Sequence, residues 1–478
     1  MKQAVRDSIE RKKELILSIC DRIFDSPELM YLEHTSSAIL ADALENEGFA
    51  VQRNTAGIQT AFTARFGSGK PVIGILAEYD AVSGLSQVPG AFEPKPIHEG
   101  SPGHGCGHNL LSGGSLAAAI AIKDYLERSH RPGTVILFGC PAEEGGSGKV
   151  FLARHGAFDE LDCALTWHPG DFIGVAYDSS LANILASFRF NGVASHAALT
   201  PHLGRSALDA VELMNIGVQF LREHILPDAR VHYAITDAGG RSPNVVQPLA
   251  EVLYQIRAPR IDQVREIYAR VCDIASGAAL MSGTSVEVNF RKASSDIILN
   301  RTLALVLQRN LQYADLPSYS AEEIESAARI RRTIKDYDDS LERYAQRLDQ
   351  PGREYITARR GRPINDFVTP LLPNQSIMSA SSDVGDVSWI CPTAQITACT
   401  MAACTSYHSW QLTAQGKSSI AHKGALFAGN VLALTAIELI ETPSLIERAK
   451  AELLERLEGQ PYVCPIPKAV QHTALIPR

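Results

Sequence analysis

A short segment in the first third of the chain, GHGCGHNL, places a thiol and an imidazole two residues apart, at Cys106 and His108. Two adjacent carboxylates, Glu143 and Glu144, follow in the segment CPAEEGG, and the segment LTWHP adds His168. Cysteine thiolates, imidazoles and carboxylates all bind zinc and other divalent transition metals. Because a metal site needs three or four ligands, the joint occurrence of these groups predicts one far more strongly than the Cys-x-His pair alone.

Each of these groups stands near an apolar run that is typical of a buried strand. The runs are PVIGIL before AEYDAV, TVILFGC before the glutamate pair, and CALTW before His168. In open α/β sheets, ligands bind at the carboxyl ends of the strands. The sequence therefore predicts that these side chains meet at one edge of a sheet.

The spacing within each pair indicates how the groups could share the chemistry. Cys106 and His108 are two residues apart, so in an extended segment they project to the same side, as neighbouring ligands should. The two glutamates are adjacent and diverge, so one can hold a metal while the other faces the reacting water as a general base. With Glu144, His168 and a histidine near the C-terminus, the set would suffice for two metal ions on a shared ligand.

Two other interpretations stay open from these residues alone. In the first, Cys106 is a small core residue and the glutamate pair is a surface turn, which is the commoner role of each in isolation. In the second, Cys106 is a nucleophilic thiolate and His108 is its base. Such a base is usually distant in sequence from its nucleophile, so the second interpretation is the weaker one.

A further ligand is expected near the C-terminus, where two histidines compete. His408 follows a strand-like segment and a loop of small residues, whereas His422 stands at the predicted start of a helix, where a capping histidine is the ordinary interpretation. We therefore predict His408 as the ligand. His104 is interpreted as a packing residue or an outer neighbour of the ligands. Asp80 could accept a hydrogen bond from a ligand histidine, since metal-bound imidazoles usually donate their other N–H to a carboxylate.

The composition limits the other classes of function. The chain has 478 residues, of which 45% are hydrophobic and 21% charged, and this fits two globular domains. A net charge of −8 without a basic block disfavours nucleic acids and anionic membranes as partners. Nine cysteines in so long a chain predict free thiols, and the polar N-terminus does not read as a signal peptide. We expect a cytoplasmic protein without a membrane span.

Helix and strand patterns alternate over the first 183 residues. Amphipathic helices are predicted over 8–26 and 34–48, and an alanine-rich helix over 112–128 lies between apolar strand segments. This alternation predicts an α/β fold, with a mostly parallel sheet and helices on both of its faces.

The pattern changes after residue 183. Between 184 and 298 the predicted elements follow the order β-α-β-β-α-β, which is typical of a ferredoxin-like α+β domain. Residues 299–478 return to the first pattern, with a polar, solvated helical insertion at about 320–365. The last elements predicted are two strands, over 383–389 and 394–400, and a final long helix over 422–440.

Several motifs resemble those of the M20 metallopeptidase family, in its amidohydrolase branch. They comprise GHGCGHNLL, CPAEEGGSGK, LTWHP, ASHAALTPHLGRSALDA, SPNVVQP, SSDVGDVSW, and HSWQL followed by GKSSIAHKG. Peptidases of the family carry a His-x-Asp first motif and a bridging aspartate. This chain has AEYDAV and Cys-x-His instead, as the amidohydrolase branch does.

The resemblance implies a zinc-exopeptidase-like catalytic domain with two divalent metal ions, Mn²⁺ or Zn²⁺. Residues 1–183 and 299–478 would form it, and residues 184–298 would be a lid that also mediates dimerisation. The implied reaction is hydrolysis of the amide bond of an N-acyl amino acid, such as p-aminobenzoyl-glutamate or a similar acyl-glutamate or acyl-aspartate. Auxin–amino acid conjugates and dipeptides are the alternative substrates. We expect a homodimer, or a heteromer in which this chain pairs with a homologous subunit, as a regulatory partner in one alternative.

The resemblance also assigns roles to single residues. Cys106 would bridge the two metals, and Glu143 would be the general base. His196 would reach the active site of the partner subunit and steady the developing oxyanion. Asn244 and Arg257 would hold the substrate carbonyl and carboxylate, and the planar guanidinium suits a bidentate grip on a carboxylate. The remaining metal ligands would be His108, Glu144, His168 and His408.

Overall fold

The structure, a computed structural model, describes residues 1–335, 340–378 and 380–475. Helices and strands alternate up to residue 181. The elements are α1 Lys2–Arg11, α2 Lys13–Phe24, α3 His34–Asn46, β1 Ala50–Arg53, β2 Phe62–Ser68, β3 Val72–Glu78, α4 His108–Ser129, β4 Gly133–Cys140, α5 Gly148–Arg154, β5 Cys163–Gly170, β6 Gly174–Ala176 and β7 Ser179–Ser180.

The middle and last parts of the chain differ in their mix of elements. The middle part contains β8 Ala182–Asn191, α6 Ala207–Leu221, β9 Arg230–Asp237, β10 Leu249–Ala258, α7 Ile261–Ser282 and β11 Ser285–Ser294. The last part contains α8 Arg301–Tyr313, α9 Ala321–Arg332, α10 Ser340–Gln346, α11 Gln350–Thr357, β12 Ile377–Met378, α12 Val384–Ser388, β13 Thr393–Cys399, α13 Trp410–Gln415, α14 Ser419–Glu441 and α15 Pro443–Leu457.

Seven strands form the main sheet, in the order β1-β2-β4-β3-β5-β13-β6. The four strands in the middle, β4, β3, β5 and β13, are parallel to one another, and the outer strands run antiparallel to their neighbours. The carboxyl ends of the four parallel strands therefore lie at one edge, where α/β sheets bind their ligands. The predicted α/β fold with a mostly parallel sheet is confirmed.

Both faces of this sheet are covered, because the side chains of each strand alternate between two cores. On β3, Ile73 and Ile75 face a core built with α1 to α4, α8 and α14. Val72 and Leu76 face the other core, which includes α5 and the second sheet. Every residue of β3 is buried, which explains its continuous apolar sequence.

A second sheet, of four antiparallel strands, has the order β11-β8-β10-β9 and packs on α6 and α7. This is the ferredoxin-like arrangement expected from the β-α-β-β-α-β pattern. The division of the chain into domains at residues 184 and 298 stays a prediction. In the helical segment at 320–365, the inward side chains of Ile330, Leu341 and Ile356 are buried against the first core; residues 336–339 lie outside the described residues.

The strand predicted over residues 383–389 is wrong, because this segment forms the short helix α12. Val384 and Val387 are both buried and three residues apart, the spacing of one helical turn and not of a strand. Asp386 lies in the same turn and accepts hydrogen bonds from the backbone N–H and hydroxyl of Ser295. The helical turn thereby brings the buried carboxylate of Asp386 to hydrogen-bond donors, and the sequence pattern did not predict this position.

The predicted final long helix is α14, but it is not the last one. Helix α15 follows it directly and has Pro443 at its first position. A proline there removes no helical hydrogen bond, since the first N–H groups of a helix have no partner within it. The proline therefore starts α15 instead of ending the helical region.

One helix among the described residues, Ser419–Glu441, is long and apolar enough to span a membrane by length and composition. However, 83% of its apolar window is buried inside the protein. Its apolar residues pack in the first core against α4. The apolar composition of this helix is thus explained by its place in the protein core.

Trp167 connects the first core to the carboxyl edge of the sheet. Its side chain is fully buried, and its Nε1 donates a hydrogen bond to the carbonyl oxygen of Leu111 in α4, at 3.1 Å. The helix comes close at Gly114, where an added Cβ would lie 2.6 Å from the indole ring. Because His168 follows Trp167 directly, the packing of α4 on the indole determines where this histidine stands.

We predict that Gly114→Ala lowers the free energy of unfolding by about 1–3 kcal/mol, since the rigid indole or the helix must shift to admit the methyl group. Gly277→Ala in α7 is the matched control. Its added Cβ would meet no atom within 4 Å, so a gain of up to about 1 kcal/mol from helix propensity is expected. Urea unfolding of both variants measures the difference, and equal stabilities would contradict this account of the α4 contact.

Candidate metal centre

The loop before α4 sets the first two predicted ligands side by side. Cys106 lies in a turn, and His108 is the first residue of the helix. Between them Gly107 adopts φ 80°, in the left-handed region that favours glycine, and an added Cβ would lie 3.0 Å from the ring of Pro169. The segment is therefore a tight turn and not the extended segment that the spacing suggested, yet both side chains still belong to one group.

Two groups of potential ligand atoms share the Sγ of Cys106. One group contains His108 and His168, the other contains Glu144 and His408, and the atoms of each group lie within 4.8 Å of one another. Cys106 Sγ is 3.5 Å from His168 Nε2, and His408 Nε2 is 3.2 Å from Glu144 Oε2. At usual zinc–ligand bond lengths, two tetrahedral ligands of one ion are about 3.3–3.6 Å apart. The geometry thus suits two ions with Cys106 between them.

Buried polar atoms at this place lack partners that a cation would supply. Among the described residues, His108 Nε2 and Glu144 Oε1 are buried without a hydrogen-bond partner, although such atoms are normally paired. Burial also raises the pKa of the Cys106 thiol, and Glu144 raises it further. A thiolate at this position therefore needs positive charge close by, so the donor set fits divalent metal ions.

Asp80 orients two of the candidate ligands, His108 and Glu144, through its carboxylate oxygens. Its Oδ1 accepts a hydrogen bond from His108 Nδ1 at 2.9 Å, as the sequence predicted, and its Oδ2 accepts one from the backbone N–H of Glu144 at 2.8 Å. With Nδ1 donating, the lone pair of His108 Nε2 points toward the ligand group. In the same way, His168 Nδ1 lies 2.8 Å from the carbonyl oxygen of Pro169, which leaves Nε2 toward Cys106.

The adjacent glutamates have opposite acid–base character. Loss of solvation, with Glu78, Asp383 and Glu144 close by, raises the pKa of Glu143 well above its usual value. Burial opposes the ionisation of Glu144 as well, but its hydrogen bond with His408 and the nearby His108 lower its pKa to about 2. Such a divergence is typical of a pair in which one carboxylate binds a charge and the other moves a proton.

His408 lies where the site opens to solvent. Its side chain is 50% exposed, and its backbone N–H donates to the carbonyl oxygen of Gly105 at 2.9 Å, which ties the two ligand-bearing loops together.

The two histidines that were not chosen as ligands, His422 and His104, lie outside the ligand groups. His422 Nε2 pairs with Asp21 at 2.8 Å, and His104 is buried with Nε2 2.9 Å from the carbonyl oxygen of Ile23. Burial lowers the pKa of His104 to about 3, so it is a neutral packing residue.

Three charged residues beside the site were missed from the sequence. Glu78 ends β3, Lys149 lies in α5, and Asp383 directly precedes the short helix α12. All three side chains are buried, and Lys149 Nζ pairs with both carboxylates. Each stands alone in its segment, so the only signal was the position of Glu78, two residues before Asp80 at a strand end.

One predicted catalytic residue, His196, and the two predicted substrate-binding residues, Asn244 and Arg257, stand outside the two ligand groups. His196 is exposed, and its Nδ1 accepts N–H bonds from its own loop. Asn244 is also exposed, and its backbone carbonyl oxygen accepts a hydrogen bond from the backbone N–H of Ala197 at 2.9 Å. Arg257 is half-buried on β10 and donates to the hydroxyl of Ser381 at 2.9 Å. Their roles stay predictions.

Comparisons with known proteins place the chain among metallohydrolases. Residues 74–473 match the model of peptidase family M20/M25/M40. The chain is 48% identical over 473 residues, 98% of each chain, to the B subunit of p-aminobenzoyl-glutamate hydrolase from Escherichia coli. It is 32% identical to mouse Xaa-Arg dipeptidase, over 65% of this chain and 70% of that one. A dinuclear metal binding peptidase from Bacillus subtilis shares the fold, with a TM-score of 0.57, 15% identity, and coverage of 91% and 99%.

We predict that His408→Ala lowers the bound zinc from about two ions per chain to about one, because His408 belongs to only one ligand group. Cys106→Ala should weaken both ions, since both groups contain it. His422→Ala is the control, with metal content unchanged, because His422 pairs with Asp21 outside the site. Elemental analysis after gel filtration measures the ratio. Equal metal content in His408→Ala, Cys106→Ala and the unmodified chain would refute these ligand assignments.

Proposed function

The chain belongs to peptidase family M20/M25/M40 and is a metal-dependent amidohydrolase, and from this premise we propose that it hydrolyses p-aminobenzoyl-glutamate or a similar acyl-glutamate or acyl-aspartate. The observation that carries the proposal is the double ligand group around Cys106, with Glu143 in a neighbouring group that contains His108 and Glu78. The identity of 48% along nearly the whole length of one chain of the E. coli p-aminobenzoyl-glutamate hydrolase supports this substrate class. Auxin–amino acid conjugates and dipeptides are the alternatives within the family.

We propose two divalent ions, Zn²⁺ or Mn²⁺, as the cofactors. One would be held by His108 and His168, the other by Glu144 and His408, with Cys106 shared. When bound, such ions polarise a carbonyl oxygen and lower the pKa of a coordinated water. The thiolate favours zinc, whereas the carboxylate admits manganese.

Glu143 is proposed as the general base and acid. It stands beside the ligand Glu144, and burial among Glu78, Asp383 and Glu144 raises its pKa, which favours the uptake of a proton by its carboxylate. In the first step its carboxylate accepts a proton from the attacking water. In the second step it returns the proton to the leaving nitrogen of the amino acid, and the amide C–N bond breaks.

Residues of the second sheet are proposed to hold the substrate. Lys292 of β11 donates to the carbonyl oxygen of Glu144 at 3.1 Å, so this sheet borders the ligand groups. Arg257 would grip the α-carboxylate of the leaving amino acid, and Asn244 would assist it. His196, which is exposed on its loop, would serve the active site of a partner subunit. Free acids should then be better substrates than the corresponding esters or amides.

The assembly is proposed to form through the second sheet, which would also act as a lid. Strand β9 lies at the edge of that sheet, and most of its residues are exposed. Large apolar side chains on α6 and α7 are also uncovered, with Phe220 at 67%, Leu280 at 84% and Met281 at 68% exposure. An uncovered edge strand with exposed apolar groups is typical of a surface that pairs with another chain. The partner would be a second copy or a homologous chain, since the E. coli relative is itself named as one of the subunits of its enzyme.

We also propose a reducing compartment, the cytoplasm. No disulfide joins any two of the nine cysteines, all of which lie in the described residues, and seven of them are buried. Free thiols persist where glutathione and thioredoxin keep them reduced.

Glu143→Gln should keep both metal ions but lower kcat by about 10²–10⁴-fold, because the amide cannot carry the proton between water and leaving group. Glu160→Gln is the matched control, since Glu160 pairs with Arg65 on the surface. Steady-state hydrolysis of p-aminobenzoyl-glutamate, together with metal analysis, is the measurement. Near-normal kcat in Glu143→Gln would exclude Glu143 as the base.

The purified chain alone, supplied with Mn²⁺ or Zn²⁺, should hydrolyse p-aminobenzoyl-glutamate, because it carries a full set of ligands and a base. A panel of acyl-glutamates, acyl-aspartates, auxin conjugates and dipeptides ranks the substrates by kcat/KM. The acyl-glutamate should lead, and a lead for dipeptides would favour the alternative. Activity that emerges only with a homologous subunit would instead identify this chain as a regulatory partner.

A further inference from the structure

A buried ion cluster lies directly behind the ligand groups, and two of its members, Glu78 and Asp383, also raise the pKa of Glu143. Lys149 Nζ is 2.6 Å from Glu78 Oε1 and 2.7 Å from Asp383 Oδ1, and the three side chains are 0%, 4% and 1% exposed. Asp383 Oδ2 also accepts the backbone N–H of Lys149 at 2.9 Å. One ammonium thus faces two carboxylates, and a buried ion pair of this kind needs good geometry to offset the loss of solvation.

The second carboxylate oxygen of Glu78 points away from Lys149 and toward a metal-ligand candidate. Glu78 Oε2 is 3.3 Å from His108 Nε2, yet His108 Nε2 is buried and makes no hydrogen bond. Asp80 accepts from Nδ1, so in the neutral imidazole the nitrogen that faces Glu78 is the one that carries the lone pair. Two acceptor atoms in contact repel each other unless a positive charge lies between or beside them.

The separation is the one expected for two ligands of a single ion. At bond lengths of about 2.0–2.1 Å for nitrogen and oxygen, tetrahedral neighbours are about 3.3–3.4 Å apart. Glu78, His108 and Glu143 also offer atoms within 4.8 Å of one another. Glu78 therefore offers a second carboxylate oxygen at a suitable distance from His108 Nε2.

We propose that Glu78 Oε2 is a further ligand of the cation held through His108 Nε2, and that Lys149 fixes the other oxygen so that this carboxylate binds through one atom. The inference rests on the proposed metal-dependent hydrolase and extends its ligand set. Lys149 is then a positioning residue, which acts on the metal only through Glu78.

The proposal makes the two ions unequal. The ion at His108 would gain Glu78, which shares a ligand group with His108 and Glu143, and it would lie in the buried part of the site. The ion at His408 would have three protein ligands, namely Cys106, Glu144 and the half-exposed His408. A site with three protein ligands keeps a coordination position open for substrate, whereas a fully ligated ion is held more firmly. The exposed ion would be the one that the substrate carbonyl meets.

Zinc titration of the metal-free chain against a chromophoric chelator tests the proposal without measuring activity. The unmodified chain should bind two ions in two steps of different affinity. Glu78→Gln should weaken the tighter step by at least about 10–100-fold and leave the weaker step within about threefold. Glu78→Asp should do the same while keeping the negative charge beside Lys149, so it carries the test if the amide variant does not fold.

Glu33→Gln is the control, because Glu33 is a buried carboxylate that accepts from the backbone N–H of Ala142 and does not contact His108. Its two binding steps should match those of the unmodified chain. Unchanged zinc affinities in both Glu78 variants, or an equal loss in both steps with a lower melting temperature, would overturn the proposal and assign Glu78 a structural role. If the unmodified chain binds no zinc, the proposed function fails with it, and that result is distinct from the first two.

Discussion

At the carboxyl edge of the parallel sheet, the protein buries negative charge together with polar atoms that have no hydrogen-bond partner in the described part of the chain. The surrounding structure has to compensate both. Glu144 Oε1 and His108 Nε2 lack partners among the described residues, and Cys106 is held in an environment that opposes its ionisation. Groups of this kind are costly to bury unless positive charge compensates them. Lys149 is a buried cation that the chain itself supplies to this region. Divalent metal ions would compensate the rest.

The fold fixes the positions of these side chains. Four parallel strands end at one edge, where β3 leads to Asp80, β4 to the glutamate pair and β13 to the loop of His408, while His168 lies within β5. Asp80 connects the strand end of β3 to His108 and to the backbone of Glu144, so two ligand-bearing loops share one anchor. Trp167 fixes β5 against α4 in the first core. Metal binding would therefore be coupled to core packing, since a shift of the core would move the candidate ligand side chains.

The sequence singled out the candidate ligands because they stand near the ends of apolar strand segments, and the structure brings these side chains together. The choice of His408 over His422 followed from the loop before it. The sequence also predicted the two sheets from their element patterns. It failed at α12, where Val384 and Val387 have helical spacing in a segment too short to show a period. It also missed Lys149, whose carboxylate partners are 71 residues before it and 234 residues after it along the chain. Such long-range pairs leave no local pattern.

In the proposed site, the sulfur atom of Cys106 would lie between two metal ions. X-ray absorption at the zinc edge of the fully loaded chain measures this most directly. The spectrum should show sulfur at about 2.3 Å as well as nitrogen and oxygen at about 2.0–2.1 Å, with sulfur counted at one per zinc because Cys106 serves both ions. A spectrum with only nitrogen and oxygen around zinc would contradict the account.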